Sequence, residues 1–226
     1  MLILHLDPIA TSLMSLLIVI ALVLAFVMLG SHWLRNHVLA FAAESWVIAG
    51  LSALVGYYGH FYELFLIAGL TALFRGSLLP YLLMRLVNRL DMHREFTPIL
   101  NPSTTLVLGA ALMVFAYLVA DRIGQSLGLE SKIAVLALMA LLGLKLIGFL
   151  MLVLRREALS HVLGLLVIEN GIFLGSQILV PGMPMLLELV ILFDLLIIVL
   201  TFGLLMRYLK EHAGTTSSAD LRRLTG

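Results

Sequence analysis

The 226-residue chain contains no cysteine. That excludes disulfides, thiolate zinc sites, iron–sulfur clusters and cysteine nucleophiles. Charge is nearly as scarce: 12% of residues are Asp, Glu, Lys or Arg, where a soluble domain has about a quarter. The net charge is +1 and no basic patch is interleaved with aromatics, so nothing points to nucleic acid. The seven histidines are scattered, and those near apolar runs (His32, His37, His161) sit at the ends of the runs. No pair lies deep in facing segments, as a membrane haem requires. HExxH is absent, as is an aspartic-protease pair, so no catalytic centre and no cofactor are expected in this chain.

What the chain has in abundance is apolar surface. It is 62% hydrophobic with a mean hydropathy of +1.13, which leaves too little polar surface to cover a water-soluble core. The fold class expected is an all-α integral membrane protein. A span needs about 20 apolar residues, and seven stretches qualify: 9–30, 37–57, 63–87, 103–122, 132–154, 159–180 and 185–210. The first is long enough to cross a bilayer and has no Lys or Arg before it, so it reads as a span rather than a signal peptide. One set of loops holds ten Lys and Arg residues, among them Arg35, Arg85, Arg155, Arg156 and Arg207, and the opposite set holds only Arg122 and Lys132. The positive-inside rule then puts the first set in the cytoplasm, with the N-terminus outside and the C-terminus inside.

Five charged residues fall deep within these spans, away from their ends: Glu44, Arg75, Lys145, Glu169 and Asp194. Counted from the nearest cytoplasmic arginine at about 1.5 Å per residue, each lies roughly 14–20 Å deep. All therefore belong to one slab near the middle of a core about 30 Å thick. Each costs about 2.5–3.5 kcal/mol to insert, so they must face one another, or water, inside protein. Three acids and two bases at one depth suit proton exchange, with Arg75 permanently charged and able only to bias its neighbours. A buried pair such as Glu44–Arg75 that merely holds helices together is the plainer alternative. Glu63, Asp121, Glu130 and Glu188 read as interfacial or loop charges, and His161 as an interfacial polar residue. Gly171 and Gly175 form a small-xxx-small step for close helix packing. Pro80 has no N–H to offer the Gly76 carbonyl, which predicts a bend next to Arg75.

Spans one to three and five to seven each start outside and end inside, and "RNHVLAFAAES" echoes "LSHVLGLLVIEN". The topology reads as a parallel three-plus-one-plus-three duplication. It divides the chain into an N-terminal three-helix half (1–100), a connector helix (101–130), a second three-helix unit (131–212) and a polar tail (213–226).

The segments "RREALSHVLGLLVIENGIFLG" and "ELVILFDLLIIVLTFGLLMRYLKEH" resemble the last spans of the hydrogenase-4 component E family, the membrane subunits of formate-hydrogenlyase-type hydrogenases. The Ile-Glu-Asn-Gly at 168–171 and Asp194 carry most of the match. The same third is similar to the K subunit of complex I and the C subunit of Mrp-type antiporters. Glu169 stands about one turn beyond the K-subunit acid, Asp194 replaces a Glu, and Arg75 stands where component E proteins carry a Lys. The resemblance implies a non-catalytic subunit in a prokaryotic inner membrane, beside antiporter-like subunits and a hydrogenase or other redox module. Glu44, Arg75, Lys145, Glu169 and Asp194 would form a lateral proton or sodium path, supported by Asn170 and His161. Two alternatives are a subunit of an Mrp-type cation/proton antiporter and a stand-alone small-solute transporter using the same charges as ligands. A third is a scaffold in which the ion pairs only fix assembly.

Overall fold

A computed structural model describes residues 7–31, 33–89, 100–129, 131–155 and 158–180, together with 196, 200, 203 and 207. The described chain is helical: α1 (Pro8–Gly30), α2 (Leu34–Gly59), α3 (Glu63–Leu73), a π-turn (Phe74–Leu78), α4 (Leu79–Arg89), α5 (Pro102–Ser126), α6 (Lys132–Leu154) and α7 (Ala158–Leu179). Six spans among the described residues are long and apolar enough to cross a membrane, α3, the π-turn and α4 joining into one, Glu63–Arg85. Each coincides with an expected span to within a few residues. Of the seventh expected span, 185–210, only 196, 200, 203 and 207 are described, and Asp194 within it lies outside the described residues.

Local chemistry sets several helix ends. Asp7 caps α1, its Oδ1 accepting from the Ile9 N–H at 3.1 Å, and Pro8 occupies the first turn, where its missing N–H costs nothing. α2 ends with His60 in the left-handed region (φ 58°), and the Phe61 N–H returns to the Gly56 carbonyl at 3.0 Å. Gly128 (φ 63°) does the same after α5, with Leu129 N–H on Gly124 O at 2.8 Å. Both are left-handed helix stops with a six-to-one hydrogen bond.

α7 is the central helix. Of its best membrane-length window 72% is buried, against 22% for α5, which lies at the edge. α7 packs on α6 and α2; α1 packs on α2 and α6; α5 packs mainly on α6. Glycines set the α6–α7 approach. A Cβ at Gly148 would lie 2.6 Å from the Gly164 carbonyl oxygen, and one at Gly171 would lie 2.7 Å from the Leu144 Cβ. Gly171 and Gly175 thus do serve close packing, and Gly148 and Gly164 form a second contact of backbone on backbone. With no hydrophobic drive between helices in lipid, such close approach carries the association.

The third span does not break at Pro80. It widens one turn earlier into the π-turn at Phe74–Leu78, where the Leu79 N–H bonds the Phe74 carbonyl five residues back. A π-turn inserts an extra residue into the helix and is often found at functional sites. Here Arg75 sits inside it. Gly76 is needed there because a Cβ would lie 2.8 Å from the Trp46 indole nitrogen on α2.

The Gly148 contact leads to a stability test. Gly148→Ala must push α6 and α7 apart and is expected to cost about 1–3 kcal/mol, read as a lower unfolding temperature in detergent. Gly69→Ala, whose Cβ meets nothing within 4 Å, should be neutral or slightly stabilising.

Candidate functional site

Four of the residues singled out from sequence meet at one place. Arg75 comes from the π-turn, Glu44 from α2, and Glu169 and Asn170 from α7. Arg75 Nη1 donates to Asn170 Oδ1 at 3.1 Å. Asn170 Nδ2 donates in turn to Glu44 Oε2 at 3.3 Å and to Ser45 Oγ at 3.4 Å. Arg75 Nη2 stands 3.6 Å from Glu169 Oε2, an ion pair longer than a hydrogen bond. The Arg75 guanidinium also lies over the Phe173 ring, 5.1 Å from its centroid, a cation–π contact worth roughly 2 kcal/mol when desolvated.

Burial makes this cluster unusual. Glu44, Ser45 and Asn170 are 0% exposed and Arg75 is 1% exposed, whereas the Glu169 side chain keeps 27%. Arg75 and Glu44 are not directly paired. The amide of Asn170 lies between them, accepting from the cation with its oxygen and donating to the carboxyl with its nitrogen. That leaves Glu44 Oε1 buried with no hydrogen-bond partner. Among the described residues one guanidinium therefore serves two carboxyls, one through space and one through an amide. A dry site favours neutrality, since each uncompensated charge carries a desolvation penalty of several kcal/mol.

Lys145 shares the level of the cluster: its backbone N lies 3.4 Å from where a Gly171 Cβ would sit. Its side chain is half-buried and forms no hydrogen bond or ion pair with a described residue. Arg75, not Lys145, is the cation at Glu169. His161 is half-buried near the start of α7, nine residues before Asn170, or about 13 Å along the helix, away from the cluster. Asp194 lies outside the described residues. Glu63 is exposed at the start of α3, and Asp121 is half-buried near the end of α5. Among the described residues no group of three or more His, Asp or Glu side chains is placed to hold a metal ion.

Reasoning from sequence missed three features. Ser45 joins the network; its only signal is its position beside Glu44 in an apolar run. Thr71, one turn before Arg75, and Gln177, two turns after Asn170, are buried with side chains that lack a partner. Arg155, counted as a loop charge, is buried, and its Nη2 donates to the Leu29 and Ser31 carbonyls at 3.0 and 2.9 Å. Together with the His37 Nε2 contact to Ser31 O at 2.9 Å, it satisfies carbonyls at the end of α1 that have no partner within the helix.

The chain is 30% identical over 151 residues to the uncharacterized protein Rv0085 of Mycobacterium tuberculosis (strain ATCC 25618 / H37Rv), a match that spans 66% of this chain and 67% of that one. No protein-family model matches the chain. No solved structure matches it either.

The cluster's energetics can be tested by removing its cation. Arg75→Leu leaves two buried carboxyls around an empty position and is expected to cost about 3–5 kcal/mol. Adding Glu44→Gln and Glu169→Gln should recover most of the loss, measured by thermal or denaturant unfolding in detergent.

Proposed function

This chain belongs to the same family as the mycobacterial protein, and we propose that it is a non-catalytic membrane subunit of a proton- or sodium-translocating assembly of the hydrogenase or complex I type. The observation that carries this reading is the buried arrangement of Glu44, Asn170, Arg75 and Glu169 on three different helices. A pair that served only to hold helices together would be expected to neutralise itself. Among the described residues this group instead sets two carboxyls against one guanidinium, one of them reached only through an amide. Intramembrane ionisable residues of this kind mark ion and proton routes.

Each residue has a distinct part. Arg75 keeps its charge at any working pH and faces both acids, Glu169 directly and Glu44 through the amide. Asn170 cannot carry the proton, but its amide couples the Glu44 carboxyl to the guanidinium and fixes its orientation. Glu169, the partly exposed acid, is the station from which a proton passes to or from a neighbouring subunit. Lys145 shares the level of this row, and Asp194, which lies outside the described residues, would be the next station. Antiporter-like membrane subunits on one side and a hydrogenase or other redox module on the other would be the partners. The duplication of the two halves also finds support: α1 packs on α6 and α2 on α7, so helices in like positions of the two halves face each other. The ten-to-two bias of Lys and Arg supports an N-terminus outside and a C-terminus in the cytoplasm; a prokaryotic inner membrane is part of the same proposal.

The test is made on the assembled complex, purified through this chain from native membranes and reconstituted in liposomes. Glu169→Gln should assemble and retain part of the electron transfer, while acidification of the liposome lumen falls to background. Normal proton coupling in that variant would reject the relay role. Co-purification of antiporter subunits without any redox protein would move the chain to an Mrp-type antiporter, and transport of a solute by the chain alone would make it a separate carrier.

A further inference from the structure

Away from the charge cluster, a groove opens between α5 and α6 at the end of the bundle that carries their connecting turn. Its volume is about 520 Å³, and its walls are Tyr117 and Asp121 on α5, Lys132, Val135, Leu136 and Met139 on α6, Ser15 on α1, and Leu129 in the turn. The wall residues follow helical spacing. Residues 117 and 121 are one turn apart on α5, and residues 132, 135, 136 and 139 form one stripe down α6. The groove therefore has a charged mouth and an apolar floor, and the floor runs about 10 Å from Lys132 to Met139 along the helix.

The two charges at the mouth do not neutralise each other. Asp121 Oδ2 accepts from Gln125 Nε2 at 2.8 Å, and no ion pair joins Asp121 to Lys132 among the described residues. Asp121 stands five residues before the end of α5, about 7 Å below it. The carboxylate accepts one hydrogen bond among the described residues, and above an apolar floor it has lone pairs left for a cationic donor. Lys132, exposed at the start of α6, presents a cation to the same space. The occupant that meets both has an ammonium and a phosphate a few bonds apart, and acyl chains to lie along Val135, Leu136 and Met139.

We propose that the α5–α6 groove is a binding site for a phospholipid with a phosphoethanolamine headgroup. Its primary ammonium donates to Asp121, its phosphodiester receives Lys132, and one acyl chain fills the stripe on α6. The three N–H donors of the ammonium set it apart from choline, whose nitrogen has none to offer Asp121. Glycerol headgroups are set apart because they carry no cation.

The experiment exchanges lipids on the full chain and reads retained lipid by native mass spectrometry. Protein is passed through vesicles of phosphatidylethanolamine, phosphatidylcholine or phosphatidylglycerol and then washed in detergent. Phosphatidylethanolamine should be retained about tenfold better than the other two, the loss of one charge-assisted hydrogen bond being worth about that factor. Asp121→Asn should erase the preference over phosphatidylcholine, and Lys132→Gln should lower retention of all three. Arg122→Gln, next to the groove but not in its wall, should change nothing. Equal retention of the three lipids by the unaltered chain overturns the proposal whether or not the variants fold. So does a preference for phosphatidylglycerol, which would show a cation acting alone.

Discussion

A guanidinium cannot shed its charge, and Arg75 is almost wholly enclosed. The rest of the candidate site follows from that constraint. A permanent cation inside apolar protein must find anions or dipoles at once, and among the described residues it finds them on α7. Glu169 supplies a carboxylate, Asn170 an amide oxygen, and Phe173 the face of a ring. The amide then passes the polarity on to Glu44 and Ser45. Helices α2 and α7 and the π-turn are thus tied together at one level by polar contacts where dispersion alone would give little orientation.

Placement of this cluster depends on small residues. Glycines at 148, 164, 171 and 175 let α6 and α7 approach until side chains meet backbone. That seats α7 at the centre with Glu169 and Asn170 facing Arg75. Gly76 does the same service for Trp46 at the π-turn. The wide turn at Phe74–Leu78 places Arg75 and lies just before Pro80, so the helix continues through a region where its hydrogen bonds are already rearranged. Packing and charge therefore act together. The tight contacts enclose Glu44, Ser45, Asn170 and Arg75, and that enclosure raises the energetic importance of their polar atoms.

The membrane spans were legible because a run of about 20 apolar residues has few other stable fates. Depth was legible too, since helical rise converts residue count into distance. The grouping of Glu44, Arg75 and Glu169 followed from cost alone. Partner choice was not legible. Lys145 and Arg75 are both cations at similar depth, and counting along the chain gives each an equal claim on Glu169. Arg155 was misread for a related reason. At the end of a span, a cation looks like a loop charge unless one knows that the open carbonyls of α1 lie beside it. Ser45, Thr71 and Gln177 left almost no trace, because a lone hydroxyl or amide in an apolar run costs little enough to sit on any face.

By itself the sequence determined that this chain is built of apolar helices, and it put four of its scarce internal charges, Glu44, Arg75, Lys145 and Glu169, at the one level that they share in the structure. Both depend on quantities local to a helix: apolar length, rise per residue and the cost of a charge in lipid. Only the tertiary structure decided that an amide stands between Arg75 and Glu44, that Arg75 is the cation paired with Glu169, and that Arg155 closes the end of another helix. Those facts depend on how each helix is rotated about its axis and which neighbour it meets. Rotation is set by glycine contacts and a π-turn, and it has no counterpart in composition or spacing along a single segment.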